Sequence, residues 1–213
     1  MEWTFVLISV FAVFIPALML PGPDFIAVVR TSMAYGTVAG LLTTLGVSMG
    51  VSMGLAFYAT LSLLGLSAAL IEYHWLAWMI RLCGGCYLVY LGIRLIFARP
   101  IPIDVAAATS NPRGNPLVFG FLVTLTNPKA IVLFTSVFAT AVTANMPLWV
   151  SVLMILLVFA CAMVWYAIVS IFMSSAPIIK RFRNAQHRIE QAAGFCFIVI
   201  GGRILADSKN PLT

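Results

Sequence analysis

The chain has 213 residues, 62% of them hydrophobic and only 8% charged, with a mean hydropathy of +1.08. A soluble domain carries about 25% charged residues, so this chain has too few to coat a water-soluble globule and reads as a polytopic membrane protein. The net charge of +6 is spread in short clusters between apolar runs. With no basic stripe interleaved with aromatics, it marks membrane topology rather than nucleic-acid binding.

A spanning helix needs roughly 20 apolar residues, which leaves room for six spans and almost no soluble domain. The N-terminus has Glu2 as its only charge and no clear cleavage site, so the first apolar segment is expected to be retained rather than removed as a signal peptide. That segment runs from about Trp3 to Val29 and is interrupted by Pro21-Gly22-Pro23-Asp24. Each proline removes a backbone donor and disfavours helix at the residue before it, and glycine loosens the chain further.

Arg30 to Thr37 is expected to be a short connection. The second segment, about Val38 to Ile71, carries or follows Gly36, Gly40, Gly46, Gly50 and Gly54, mostly four residues apart. That spacing places them roughly on one helix face, where small residues let another helix approach closely. After Glu72-Tyr73-His74 the third segment runs from Trp75 to Phe97, with Trp75 and Trp78 suited to an interfacial belt. Ala98 to Asn115 is polar, contains prolines and divides the chain in half.

The fourth segment, about Pro116 to Val142, holds Asn127-Pro128-Lys129 near its middle. The fifth runs from Leu148 to Met173. Ser174 to Glu190 is a basic stretch with Lys180, Arg181, Arg183 and Arg188, expected to be a connection, and the sixth segment runs from about Gln191 to Ala206. Basic residues fall in or beside the first, third and fifth connections and not in the second or fourth. The positive-inside tendency therefore places the odd connections in the cytoplasm and both termini outside.

The halves look related. At an offset of 105, Pro23 falls on Pro128 and Asp24 on Lys129; at 109, Gly85 falls on Gly194, Gly92 on Gly201 and Arg94 on Arg203. Three spans per half make the second half inverted relative to the first, an architecture of secondary transporters. Repeat 1 covers about 3–97, the polar cytoplasmic connection 98–115 and repeat 2 about 116–206. The expected fold is all-α: six transmembrane helices as two inverted three-helix repeats, with broken first and fourth helices. Gly85, Gly92, Gly194 and Gly201 join the second-helix glycines as candidate packing positions. Irregular backbone at membrane depth is tolerated where protein or a water-filled cavity satisfies it, so both breaks are expected to face the bundle interior.

Asp24 and Lys129 are the leading functional candidates. An ionised side chain at the bilayer centre costs on the order of 2.5–3.5 kcal/mol on insertion scales, and such residues face a cavity or a partner. One reading gives Asp24 a substrate ammonium or a coupling proton and Lys129 a substrate carboxylate. The other is a structural Asp–Lys pair holding the halves together. Two opposing influences, desolvation and a neighbouring ammonium, set the charge of a buried carboxyl, which offers a route to proton coupling. Arg81 and Glu190 match at offset 109, but inversion puts them at opposite faces, where snorkelling to each interface is expected.

Cys83-Gly84-Gly85-Cys86 has the spacing of thiol–disulfide exchange, although its apolar setting favours helix packing. Cys161 and Cys196 are likewise in apolar segments, so no secreted disulfide framework is indicated. His74 and His187 lack ligand spacing, so no metal or other cofactor is expected. P-loop, G-x-S-x-G and H-E-x-x-H motifs are absent, which removes sequence support for ATP-driven transport or intramembrane hydrolysis.

Pro21-Gly22-Pro23-Asp24 and Asn127-Pro128-Lys129-Ala130, with the glycine-rich second segment and Gly84-Gly85-x-Tyr87-Leu88-x-x-x-Gly92, strongly resemble the LysE/RhtB family of bacterial amino-acid exporters over nearly the whole chain. The resemblance implies secondary-active efflux across the inner membrane, driven by the proton-motive force. Pro-Gly-Pro-Asp is similar to the homoserine/threonine branch. The lysine/arginine branch tends to carry Gly-Pro-Gln-Asn at the first break and an acidic residue in the second helix, which this chain lacks. The expected partners are an amino-acid substrate, a coupling proton and the lipid bilayer, with a homodimer left open. An exporter of another small solute or ion, a thiol–disulfide enzyme using Cys83 and Cys86, and a purely structural membrane subunit are the alternatives.

Overall fold

The computed structural model describes residues 3–35, 38–72, 74–97, 114–127, 129–131, 133–134, 137, 146–172 and 176–207. Pro128 and Gly36 lie outside these, as does all of the polar stretch 98–113. Among the described residues the chain is helical with no strand: α1 Trp3–Met19, α2 Pro23–Tyr35, α3 Val38–Glu72, α4 His74–Phe97, α5 Pro116–Leu125, α6 Leu148–Phe172 and α7 Ala176–Asp207. Helix resumes at 129 after the second break.

Among the described residues three helical stretches are long and apolar enough to cross a membrane: Leu42–Leu63, Leu148–Phe172 and Asn184–Ala206. Trp3–Met19 and Pro23–Met33 make a fourth if taken as one span bent by 45°. The apolar part of α4, Leu82–Phe97, and α5 are shorter. Phe5, Ile8, Leu61, Leu156, Val164 and Phe195 are among many large apolar side chains pointing outward. Such a surface is costly in water and suits lipid tails.

Two expected boundaries change. Residues 30–35, expected in a connection, continue α2, since no proline or glycine interrupts them before Gly36. The basic stretch after Ser174, expected in a connection, is likewise helical, because α7 begins at Ala176 and runs unbroken to Asp207, with its membrane-competent part beginning at Asn184. Pro177 lies at its second position, where a proline costs no intrahelical hydrogen bond. Beyond it the sequence is amphipathic: Phe182, Gln186 and Glu190, four apart, turn inward, while Lys180, Arg181 and Arg188 are exposed. Phe182 stacks on Phe25 of α2 with ring centroids 4.8 Å apart.

The main packing partners are α4 with α7, α3 with α5, and α3 with α6. In the first pair backbone meets backbone. A Cβ added to Gly92 would lie 2.6 Å from the Gly194 carbonyl oxygen, and one added to Gly194 would lie 2.6 Å from that of Gly92. Gly201 approaches the Gly85 carbonyl oxygen at 2.8 Å by the same measure. The glycines of α3 abut α5: Gly46 faces Pro116, Gly50 the Leu117 carbonyl and Gly54 Thr124, while Gly120 faces the Val47 carbonyl. Gly40 lies in α3. The interior between these pairs is filled by Val10 and Phe14 of α1, Val28 of α2, Val51 of α3 and Met154 of α6.

Candidate functional site

The two breaks meet. After Met19 the chain leaves helix for Leu20-Pro21-Gly22 and re-enters it at Pro23. The Gly22 carbonyl accepts the first helical bond of α2 from Ile26 N–H at 2.9 Å. Asp24 therefore sits in the first turn of α2, where the helix dipole favours negative charge. Its side chain is buried, 5% exposed.

Asn127 builds the other break and serves both halves. Its carbonyl Oδ1 accepts Lys129 N–H at 3.0 Å, and its backbone oxygen accepts Ile131 N–H at 3.2 Å. This is an N-cap on the helix that resumes at 129. The other end of the amide, Nδ2, donates to Asp24 Oδ2 at 2.8 Å. The second carboxylate oxygen accepts from Thr124 Oγ1 at 3.1 Å. An aspartate at 127 would cap the helix but could not donate as a carboxylate, so asparagine alone of the N-capping acids and amides of this length meets both demands.

Lys129 does not pair with Asp24 directly. Its Nζ donates to the Leu20 carbonyl oxygen at 3.0 Å, a backbone acceptor left without a helical partner at the first break. The lysine stem runs over Gly22, where an added Cβ would come within 3.3 Å of Lys129 Cδ. Asp24, Asn127 and Lys129 line one cavity with Phe14, Ala17, Leu18, Leu55, Ala130, Leu133 and Tyr166. Its volume is about 20 Å³, room for one water molecule and far below the roughly 300–1,000 Å³ of small-molecule sites. The contacts from Asn127 to Asp24 and from Lys129 to Leu20 bring the two breaks side by side.

Several polar groups around the site have no signal in the proline and glycine breaks. Thr124 lies three residues before Asn127 and could be sought as a helix neighbour. Tyr58 Oη donates to the Leu125 carbonyl at 2.8 Å, satisfying one of the orphan carbonyls at the end of α5. Tyr58→Phe is expected to cost about 1 kcal/mol, read as a lower unfolding midpoint in detergent. Behind the cavity, Ser48 and Ser170 hydroxyls lie 2.8 Å apart and Ser32 donates to the Ser170 carbonyl at 2.7 Å, tying α2, α3 and α6 together. The four-residue spacing of Thr44, Ser48 and Ser52 is the visible trace of this seam.

Other candidates fall away from the breaks. Glu190, expected to snorkel, is buried at 5% exposure: Oε1 accepts from Gln186 Nε2 at 2.8 Å and Oε2 has no partner among the described residues. The amphipathic extension of α7 turns this position inward, whereas a free interfacial start to the helix would have left it at the surface. The Arg81 side chain lies outside the described residues. Cys83 and Cys86 are free thiols on the exposed side of α4, and neither lines the cavity. Among the described residues no cluster of three or more metal-ligating side chains occurs.

Comparison with known proteins matches the chain to a family. The LysE type translocator model matches residues 15–208, which include both breaks and nearly the whole chain. The chain belongs to this family. Among the LysE relatives, the threonine efflux protein of Escherichia coli K12 is 28% identical over 202 residues, covering 91% of this chain and 94% of the relative. An uncharacterized membrane protein of the same organism, YahN, is 29% identical over 177 residues, covering 81% of this chain and 75% of its own. A leucine efflux protein of Salmonella choleraesuis is 28% identical over 148 residues, covering 68% and 65%. No solved structure matches the chain. Membership of the LysE translocators makes this chain a transport protein, with no enzyme class attached.

Proposed function

We propose that this LysE-type translocator is a secondary-active exporter of small neutral or hydrophilic amino acids, such as homoserine or threonine, driven by the proton-motive force. The observation that carries this reading is the cavity at the two breaks, which has a carboxylate and an ammonium, Asp24 and Lys129, in one apolar wall. An amino acid is a zwitterion, so Asp24 would take its ammonium or a coupling proton, and Lys129 its carboxylate. Pro21, Gly22, Pro23 and Asn127 hold the broken backbone around it. The N-termini of the two half-helices add positive potential for the carboxylate. The threonine and leucine named for two relatives are both neutral zwitterions of this kind.

The cavity is too small for either, so loading requires the breaks to part and Lys129 to release the Leu20 carbonyl. Rocking of two inverted repeats about a central site provides such a movement. Reciprocal contacts support the six-span, inverted-repeat reading. The Gly92–Gly194 and Gly85–Gly201 approaches exchange under the 109-residue offset, and Gly22–Lys129 and Asp24–Asn127 exchange under 105. The exposed Lys180, Arg181 and Arg188 of α7 support a cytoplasmic start to that helix, both termini outside and residence in the bacterial inner membrane.

Purified protein in vesicles loaded with labelled amino acids is expected to release them, faster with an imposed pH gradient than without. Release of none of the amino acids would remove the substrate assignment, and indifference to the gradient would remove the proton. Replacing Cys83 and Cys86 together by serine is expected to leave transport within about twofold of wild type, since the loss of two exposed thiols costs little. Abolished function would favour thiol–disulfide chemistry.

A further inference from the structure

The polar groups lining the cavity are unequal. The Asp24 carboxylate is held by Thr124 and Asn127, the Asn127 amide is used at both ends, and the Lys129 ammonium rests on Leu20. Tyr166 is buried at 3% exposure and lines the same cavity. Its hydroxyl makes no hydrogen bond among the described residues. Its backbone, by contrast, is tightly held: the Tyr166 carbonyl accepts from Ser170 at 2.7 Å and from Ser48 at 3.2 Å. The seam of hydroxyls between α3 and α6 thus fixes the position of a tyrosine whose own polar end is left over. A buried phenol normally finds a partner.

The other half shows what such a tyrosine does when it is structural. Tyr58 precedes Tyr166 by 108 residues, between the two offsets that relate the halves. Its hydroxyl bonds the Leu125 carbonyl at the second break. The residue 105 before Leu125 is Leu20, and its carbonyl is occupied by Lys129. The acceptor that the repeat would assign to Tyr166 holds the Lys129 ammonium instead, and the Tyr166 hydroxyl bonds nothing among the described residues.

We infer that the Tyr166 hydroxyl is a substrate-binding group that donates a hydrogen bond to the carboxylate of the transported amino acid, beside the Lys129 ammonium. This rests on the amino-acid reading of the site. The sorting is chemical. A carboxylate only accepts, and Lys129 and Tyr166 are the lining donors that are not committed to Asp24. Asp24 is an acceptor and suits the substrate ammonium.

Tyr166→Phe removes one oxygen that bonds nothing among the described residues, so the fold is expected to be retained, and a wild-type elution profile in detergent checks it. In vesicles assayed with L-threonine and L-leucine, the variant is expected to raise KM about tenfold, as for a lost hydrogen bond to a charged group, with maximal rate within twofold. Inhibition of threonine transport by 1-aminopropan-2-ol, threonine without its carboxylate, is expected to keep the same Ki in variant and wild type. An unchanged KM in Tyr166→Phe, or a Ki for the amine that rises in step, overturns the role of Tyr166 while leaving the exporter reading intact. A wild-type protein that moves neither amino acid overturns both.

Discussion

Asp24→Asn is expected to abolish efflux, by about 100-fold or more, while the protein still reaches the membrane in wild-type amount. The substitution keeps the size and planar shape of the side chain. Its new carbonyl oxygen can accept from Asn127 Nδ2, and its new amide can face the Thr124 hydroxyl, which turns to accept. Both contacts that now position the carboxylate, at 2.8 and 3.1 Å, therefore have neutral replacements, and the junction between the breaks survives. What is lost is the negative charge and the ability to carry a proton. A hydrogen bond to a charged group contributes about 1.5–3 kcal/mol, so loss of the substrate ammonium alone accounts for roughly 10–100-fold. Loss of the coupling proton removes the remainder. Efflux from cells fed with threonine-containing dipeptide, set against the amount of protein in the membrane, reads both halves of the expectation. Wild-type efflux from the variant would remove Asp24 from the mechanism, and absence of the protein would make its role structural. Asp24→Leu is a different experiment, because it strands the Asn127 and Thr124 donors in an apolar interior and is expected to lower the amount of protein as well.

The site was legible in the sequence to the extent that backbone chemistry writes it there. Pro21-Gly22-Pro23 and Asn127-Pro128 announce breaks because proline and glycine act locally, and charges at such breaks stand out in an apolar chain. The partners of those charges are not written in the same way. Helices that are apolar all round give no face to point inward, so nothing in the sequence turns Thr124 toward Asp24 or Tyr166 toward the cavity. The double use of Asn127 is equally hidden, because capping explains an asparagine without requiring its Nδ2 to bond across the bundle. The start of α7 is hidden for a related reason. Lys180, Arg181, Arg183 and Arg188 resemble a solvated connection by composition, and only the four-residue spacing of Phe182, Gln186 and Glu190 betrays a helix with one face buried. That spacing is a weak signal in a stretch where the inward residues are themselves polar.

A large effect on stability is expected where α4 and α7 touch. Gly92→Ala places a methyl group 2.6 Å from the Gly194 carbonyl oxygen and 2.7 Å from Ile198 Cγ1, and Gly194→Ala places one 2.6 Å from the Gly92 carbonyl oxygen. A flexible side chain could yield, but a backbone carbonyl inside a helix cannot move without moving the helix. Each substitution is therefore expected to cost about 1–3 kcal/mol, a fall of roughly 2–4 °C in unfolding midpoint per kcal/mol for a chain of this size. The two costs are not independent. Once one alanine has pushed the helices apart, the second finds the space already made, so the double variant is expected to fall well short of the sum, by a coupling on the order of 0.5–3 kcal/mol. Gly202 supplies the contrast: nothing lies within 4 Å of a Cβ added there, and alanine is a better helix former than glycine by about 1 kcal/mol. Gly202→Ala is expected to hold or raise the midpoint. Equal losses at Gly92 and Gly202, or strict additivity at Gly92 and Gly194, would show that the close backbone approach is not what joins these helices.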